Sequence, residues 1–305
     1  MSTRVRAISA VLLAAAALPL VKARAQQLTP DAYAPAPVGM NLALASDSYS
    51  TGAVSVDPAL PVENVHATIN SFGVGYGRTL GLLGHYTNVG FNLPYVQGEV
   101  SGLYLGQYVA VHPTGFGDPQ FRAAIDLYGA PAMTPREFAA YRQRTIVGVS
   151  LVVVAPLGHY DSTKLINIGS NRWSFKPEVA VMRSTGPWKL EADLGGWFFT
   201  DNTNFWHGKL RTQKPIGALQ LHGIYTFRPR LWLALDGTYY TGGRTTINGR
   251  ENIDLQKNVR YGITLAVPLS RSQGIRFAYS RGARTTIGGD FQTVGVSYQY
   301  AWLDR

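Results

Sequence analysis

Near the C-terminal end of the chain, Val259, Tyr261, Ile263, Leu265 and Val267 alternate with Arg260, Gly262, Thr264, Ala266 and Pro268. One face is greasy and the other small or polar, the period-two signature of a strand with different media on its two sides. Val294, Val296, Tyr298, Tyr300 and Trp302 alternate in the same way, as do Leu219, Leu221, Gly223, Tyr225 and Phe227. Trp188, Leu190, Ala192 and Leu194 alternate with Lys189, Glu191 and Asp193. Followed along the chain, the pattern predicts twelve strands near 38–50, 63–77, 82–93, 118–128, 144–156, 172–183, 187–199, 218–228, 230–241, 259–268, 273–281 and 290–302.

The connections carry as much information as the strands. Those at 78–81, 184–186, 229 and 269–272 are short, whereas those at 51–62, 94–117, 157–171, 200–217, 242–258 and 281–289 are long. Short turns at one end and long loops at the other are the habit of an outer-membrane barrel, with the turns in the periplasm. The exception on the short side is 129–144, where Thr134-Pro135-Arg136-Glu137 reads as an N-cap, a first-turn proline and an acid opening a small helix.

Composition bears on which sheet protein this is. Charged residues are 15% of the 305, below the roughly 25% usual for a soluble domain, while aromatics reach 11% with 17 Tyr and 6 Trp. A soluble β-sandwich would explain the alternation, but it would bury its greasy face and carry more charge on the other. Aromatics near the strand ends, among them Trp173, Trp188, Phe198, Tyr239, Tyr298, Tyr300 and Trp302, suit the interfacial girdles of a barrel. No run of basic residues marks a nucleic-acid surface, and zero cysteine excludes a disulfide frame, Cys-ligated zinc and a thiol nucleophile.

The first 25 residues read as a secretory signal: Arg4 and Arg6, an apolar run from Ile8 to Val21, then Ala23-Arg24-Ala25, with cleavage expected before Gln26. Its removal takes four basic residues and no acid, lowering the formal charge from +10 to +6. No later apolar stretch is long enough for a transmembrane helix. The expected organisation is a signal at 1–25, an Ala- and Pro-rich segment at 26–37 that either plugs the lumen or hangs in the periplasm, and one antiparallel transmembrane β-barrel at 38–305.

The stretch from Leu221 to Trp302 contains Tyr225-Thr-Phe-Arg-Pro-Arg-Leu-Trp232, Gly242-Gly-Arg-Thr-Thr-Ile-Asn-Gly249, Arg260-Tyr-Gly-Ile-Thr-Leu-Ala-Val-Pro-Leu269, Ala278-Tyr-Ser-Arg-Gly282 and Gly288-Gly-Asp-Phe291. Earlier come Phe116-Gly-Asp118, Pro156-Leu-Gly-His-Tyr-Asp161 and Asn167-Ile-Gly-Ser-Asn-Arg-Trp173. With these pieces the chain resembles the outer-membrane family named for a meta-pathway of phenol degradation. The resemblance implies a barrel that moves hydrophobic or aromatic small molecules, and it brings no functional residues with it. One departure is the end of the chain, where Trp302 is followed by Leu303-Asp304-Arg305 instead of closing on an aromatic.

Placed on a barrel, the alternation sends Arg122, Asp126, Lys176, Glu178, Lys189, Glu191, Asp193, His222, Asp236, Arg260 and Arg276 into the lumen. A lipid-facing Arg or Lys near the midplane would cost about 2–4 kcal/mol, which the interior avoids. These charges either line a pore and set its selectivity, or pair into a polar core that partly blocks it. Cross-strand pairing of Lys176/Glu178 with Lys189/Glu191/Asp193 is the most specific form of the second reading.

Enzyme motifs are absent: no G-x-S-x-G, H-E-x-x-H or P-loop occurs. His66, on a polar face with Thr68 and Asn70, reads as a lumen hydrogen-bonder, and Asp201-Asn202-Thr203-Asn204 as Asx turns rather than a calcium loop. Arg244-Thr-Thr-Ile-Asn-Gly249 is echoed by Arg284-Thr-Thr-Ile-Gly-Gly289, which would put Arg244 and Arg284 on the rim, facing solvent or lipopolysaccharide phosphates. The expectation is therefore a non-enzymatic outer-membrane channel of a Gram-negative cell, with no cofactor and no metal. Its expected partners are membrane lipid, lipopolysaccharide, small apolar or aromatic solutes and, during biogenesis, the barrel-assembly machinery. A lipid hydrolase and a non-conducting structural barrel are the alternatives.

Overall fold

The computed structural model describes residues 28–55 and 62–304, Val62 by its backbone alone; the expected signal at 1–25 lies outside them. In chain order come β1 (Met40–Ser55), β2 (Val62–Leu82), β3 (His85–Tyr104), β4 (Gln107–Val111), β5 (Thr114–Phe116) and β6 (Gln120–Tyr128). Helix α1 (Pro135–Ala140) precedes β7 (Thr145–Val154), β8 (Ser174–Thr185) and β9 (Trp188–Phe199). Then follow β10 (Asn202–Phe205), β11 (Lys209–Gln213), β12 (Ile216–Arg228), β13 (Leu231–Gly242), β14 (Thr245–Ile247), β15 (Arg250–Glu251), β16 (Gln256–Pro268), β17 (Gln273–Arg284) and β18 (Gly288–Leu303).

Twelve of these close an antiparallel barrel in the order β1, β2, β3, β6, β7, β8, β9, β12, β13, β16, β17, β18 and back to β1. The seam between β1 and β18 runs without a break from Met40↔Leu303 to Ser55↔Gly288. Closure satisfies every ladder position inside lipid, where a free edge has no water to bond. Each of the twelve expected strands has its counterpart. β4 and β5 both pair with β3, and β10, β11, β14 and β15 form a separate small sheet within the long loops.

The two faces separate as the alternation requires. Leu190, Leu194, Leu221 and Leu235 are more than half exposed on the outside, while their neighbours Glu191, Asp193, His222 and Asp236 are buried within. At the short-turn end Trp188 meets Tyr225 edge-on at 4.8 Å, and Tyr300 stacks on Trp302 at 5.6 Å, forming part of an aromatic belt. Gly186 turns β8 into β9 at φ +57°, a conformation that costs glycine little.

Helix α1 begins as expected. Thr134 Oγ1 accepts from the Glu137 N–H, and the Glu137 carboxylate accepts from Thr134 N–H at 2.8 Å, a capping box. Those bonds hold the Glu137 carboxyl below its ordinary value. Two expectations need correction. The connection expected at 94–117 is mostly strand, because β3 continues to Tyr104 against β2 and turns back through β4 and β5. His66, Thr68 and Asn70 also face outward rather than into the lumen, since Val65, Ala67 and Ile69 are the buried residues of that stretch. Toward its long-loop end, β2 turns its polar face outside and its greasy face onto Ile166, Ile168 and Phe291, which close the interior there. Beyond the lipid belt, polar-in and apolar-out is no longer the favourable arrangement.

Candidate functional site

The lumen is the candidate site, and its organiser is the segment before β1. Tyr33 is fully buried; its hydroxyl donates to Ser150 Oγ at 2.8 Å and lies 3.3 Å from Glu178 Oε1. The Arg122 guanidinium covers the Tyr33 ring at 4.9 Å. Asp31 donates its N–H to Glu191 Oε2 at 2.7 Å and receives Lys189 Nζ at the same distance. Residues 28–37 thus lie against wall residues of β6, β7, β8 and β9. The connection carrying α1 holds them at the short-turn end, where Val38 N–H donates to Met133 O and Ala130 packs with Tyr33, Tyr86, Ile146 and Met182.

All eleven residues expected in the lumen project inward. Glu178, Glu191, Asp193, His222, Asp236, Asp126 and Arg260 are buried, and Arg122, Lys176, Lys189 and Arg276 are half-buried. Their pairing differs from expectation. Lys176 forms its ion pair with Glu178 on the same strand, Lys189 with Asp31, and Asp193 with His222. Register explains this: Met182 lies opposite Glu191 and Ala180 opposite Asp193, so the charged positions of β8 and β9 are offset along the hairpin. His222 is bracketed, with Nδ1 2.7 Å from Asp236 Oδ1 and Nε2 3.6 Å from Asp193 Oδ2; Thr264 donates to the other Asp236 oxygen at 3.0 Å.

Between the segment and the opposite wall lies a cavity of about 620 Å³. Leu28, Thr29, Pro30 and Ala32 bound it on one side. On the other are hydroxyl, amide and apolar groups of β1, β2, β3, β16, β17 and β18, including Ser46, Ser50, Asn92, Ile69, Tyr279 and Thr293. A mixed polar and apolar wall of this kind lets a small amphipathic solute exchange contacts as it moves.

Residues 46–300 match the model of the family described as "Putative MetA-pathway of phenol degradation". The chain belongs to this phenol-degradation family. Its fold is similar to that of an outer membrane channel from Pseudomonas putida F1, at 20% identity over 90% of this chain and 100% of that one, with a TM-score of 0.77. The transport unit of the autotransporter AIDA-I from Escherichia coli is similar at 7% identity over 92% and 95% of the two chains, with a TM-score of 0.50. No curated protein matches the sequence.

In this member of the phenol-degradation family, three of the resembling sequence pieces, at 116–118, 156–161 and 167–173, meet in one knot above the barrel. Asp118, fully buried, accepts from Gly158 N–H at 2.9 Å with one oxygen, and from Ser170 N–H and Oγ at 2.8 and 2.7 Å with the other. His159 N–H donates to Phe116 O at 2.7 Å, and Asn167 Oδ1 accepts from Asp161 N–H at 2.7 Å. The knot carries Ile166 and Ile168 over the lumen, where they pack with Phe291. The motifs carry no local sign of this knot, because Asp118 and Ser170 stand 52 positions apart in the chain.

The rim arginines have different fates. Arg244 donates to Glu251 Oε1 at 2.6 Å, beside Lys214 at 2.7 Å from the other oxygen; these two cations hold the Glu251 carboxyl below its ordinary value. Arg284 ends β17 as an exposed residue. The repeated Thr-Thr-Ile is strand β14 in one copy, while in the other Thr286 bonds Asn258 and Lys257 and Ile287 is buried. Local sequence alone does not fix structure here; the neighbouring strand does. In the expected Asx region, Asn202 Oδ1 accepts from Asn204 N–H at 3.1 Å, as an Asx turn requires. His66 Nε2 lies 3.4 Å from Thr51 Oγ1, and His85 Nδ1 lies 3.0 Å from the Asp126 carbonyl oxygen.

Proposed function

We propose that the chain is a passive outer-membrane channel for small hydrophobic or aromatic compounds, without enzymatic activity, in a Gram-negative cell. The observation that carries the reading is the lumen cavity beside residues 28–37, inside a closed barrel of the phenol-degradation family. Its likeness in fold to an outer membrane channel supports the same architecture. Residues 28–37 act as a plug tethered by Asp31 and Tyr33, and solute passes between that plug and the far wall. The eleven inward charges hold the plug and shape the path. Export uses residues 1–25, which are removed, and insertion uses the barrel-assembly machinery. Arg244 and Arg284 face the lipopolysaccharide layer.

Conductance in planar bilayers, with and without phenol, tests the channel. Current through the purified chain that phenol modulates, together with slower phenol uptake in a deletion strain, is the expected result. Neither current nor an uptake defect would leave the structural-barrel reading in its place.

A further inference from the structure

The charge outside the lumen is unevenly placed. Among the described residues, the turns and strand ends of the short-turn side carry eight arginines against two carboxylates, Glu137 and Asp304, a surplus of six that equals the formal charge of residues 26–305. Both carboxylates are occupied: Glu137 accepts from the N–H and Oγ1 of Thr134 at 2.8 Å each, and Asp304 accepts from Arg78 and Asn41. The other acids near this end, Asp31, Asp126 and Glu191, face the interior, where Asp31 is bonded to Lys189 and the other two are buried. Of the eight arginines, Arg78 alone forms an ion pair among the described residues. Arg142 and Arg230 donate to main-chain carbonyls, at Ala139 and Tyr141 in one case and at Ser270, Arg271 and Gln273 in the other. Those bonds hold the turns and leave the two charges unneutralised. Arg136, Arg144, Arg183, Arg228 and Arg271 are exposed, so this end of the barrel wears a positive collar.

The collar lies at the edge of the greasy wall. Arg183 follows Val179 and Val181 on the outward face of β8, both about half exposed, and donates to Thr145 Oγ1 of β7 at 3.3 Å. Next to it, Ser184 N–H donates to the Arg144 carbonyl at 2.6 Å, which brings the exposed Arg144 alongside. On the far side of β9, the Phe227 ring lies 5.0 Å from Tyr225, which itself meets Trp188, and Arg228 is the next residue in the chain. Arginines therefore flank the aromatic belt on both sides. Aromatic rings of this kind sit at headgroup level, and an arginine at that depth lays its stem on apolar surface with its guanidinium among the headgroups. A guanidinium grips phosphate through two parallel N–H bonds, and a headgroup with net negative charge is favoured over a zwitterionic one.

We propose that Arg144, Arg183 and Arg228, beside Trp188 and Tyr225, form a docking surface for the phosphate groups of anionic phospholipids, phosphatidylglycerol and cardiolipin, in the periplasmic leaflet. The short turns of an outer-membrane barrel face that leaflet. Bound there, the lipids neutralise the collar and fix the height of the barrel in the bilayer. This rests on the outer-membrane reading above and is independent of what passes through the lumen.

The test uses residues 26–305 folded in nanodiscs of equal parts phosphatidylglycerol and phosphatidylcholine, with native mass spectrometry counting the lipids that the released barrel retains. The expected result is retention of phosphatidylglycerol over phosphatidylcholine by about tenfold, the size of effect that a few arginines at an anionic surface supply. Arg144→Gln, Arg183→Gln and Arg228→Gln combined bring the two lipids to equal retention, and Lys at the same three positions keeps part of the preference. Neutralising Arg250 and Lys257, exposed at the long-loop end, leaves the preference unchanged. Heat-modifiable migration on gels identifies folded variants, and Arg183→Gln alone, which halves the preference or more, serves if the triple variant does not fold. Equal retention by the wild type overturns the proposal and leaves the collar to an acidic periplasmic protein. A preference that survives the arginine changes overturns it as well. A chain that does not insert into lipid overturns the outer-membrane reading with it.

Discussion

Lys189 Nζ on β9 lies 2.7 Å from Asp31 Oδ1 in the segment before β1, joining two residues 158 positions apart inside the lumen. The pair is mostly shielded from water, so losing one partner leaves a poorly solvated charge. Asp31→Asn or Lys189→Met should raise the open population of the channel by about tenfold, equivalent to ~1.4 kcal/mol. Single-channel recording of dwell times reads this directly, and unchanged dwell times would mean that the pair does not hold the plug.

His222 stands between two buried carboxylates, Nδ1 2.7 Å from Asp236 Oδ1 and Nε2 3.6 Å from Asp193 Oδ2. His222→Leu should destabilise the barrel by about 3–5 kcal/mol, because Asp193 and Asp236 then lose the imidazole that both of them face. Replacing all three by apolar residues of similar size should recover much of that loss. Urea unfolding of the single and triple variants in detergent separates the two outcomes; equal destabilisation would argue that packing, not charge, dominates the site.

The loop knot depends on one side chain. Asp118→Ala removes the acceptor for two N–H groups and a hydroxyl, and the cost should be about 3 kcal/mol for the loop carrying Ile166 and Ile168. Hydrogen exchange at Gly158 and Ser170 should accelerate sharply, while amides in β12 and β13 remain protected. Uniform acceleration would show that the knot supports the whole barrel.

At the rim, Glu251 is stabilised in its charged form by Lys214 and Arg244. Its carboxyl therefore releases its proton at lower pH in the folded protein than in the unfolded chain. The resulting stability is present above the ordinary glutamate range and is lost as pH falls through the lowered folded value. Proteolysis of the loops holding β14 and β15 should rise in acid below the ordinary glutamate range. Glu251→Gln should make those loops equally susceptible at neutral pH, and a variant still resistant there would show that the ion pairs contribute little.

The outer wall makes its own demand. Leu221, midway along β12 and about half exposed, should cost about 2–4 kcal/mol when changed to Arg, because the new charge must sit in hydrocarbon. The same change at Leu210, exposed on β11 in the small loop sheet, should escape that lipid cost. Folding titrations in lipid vesicles distinguish the two positions.

The wall of the barrel was legible because lipid imposes a period-two rule: Leu221 out and His222 in follows from adjacency alone. Strand ends were less legible. At Val65 to Asn70 the medium outside changes from lipid to water, and the same alternation reverses its meaning. Pairing inside the lumen was not legible, because Lys189 finds Asp31, a residue outside every strand pattern. Asp118 belongs to a motif visible in the sequence, yet its donors on Gly158 and Ser170 lie in a loop whose path no local signal describes.

The seam has a consequence for how the protein is made. Met40 pairs with Leu303, and Asp304 beyond it bonds Arg78 and Asn41 on the first two strands. A chain emerging from synthesis holds the hydrogen-bonding edge of β1 open until the last residues exist to cover it. Such a molecule cannot finish one end while the other is still being added. The barrel closes only when both ends are present, so that loss of the last residues of β18 disables the first strand as surely as the last.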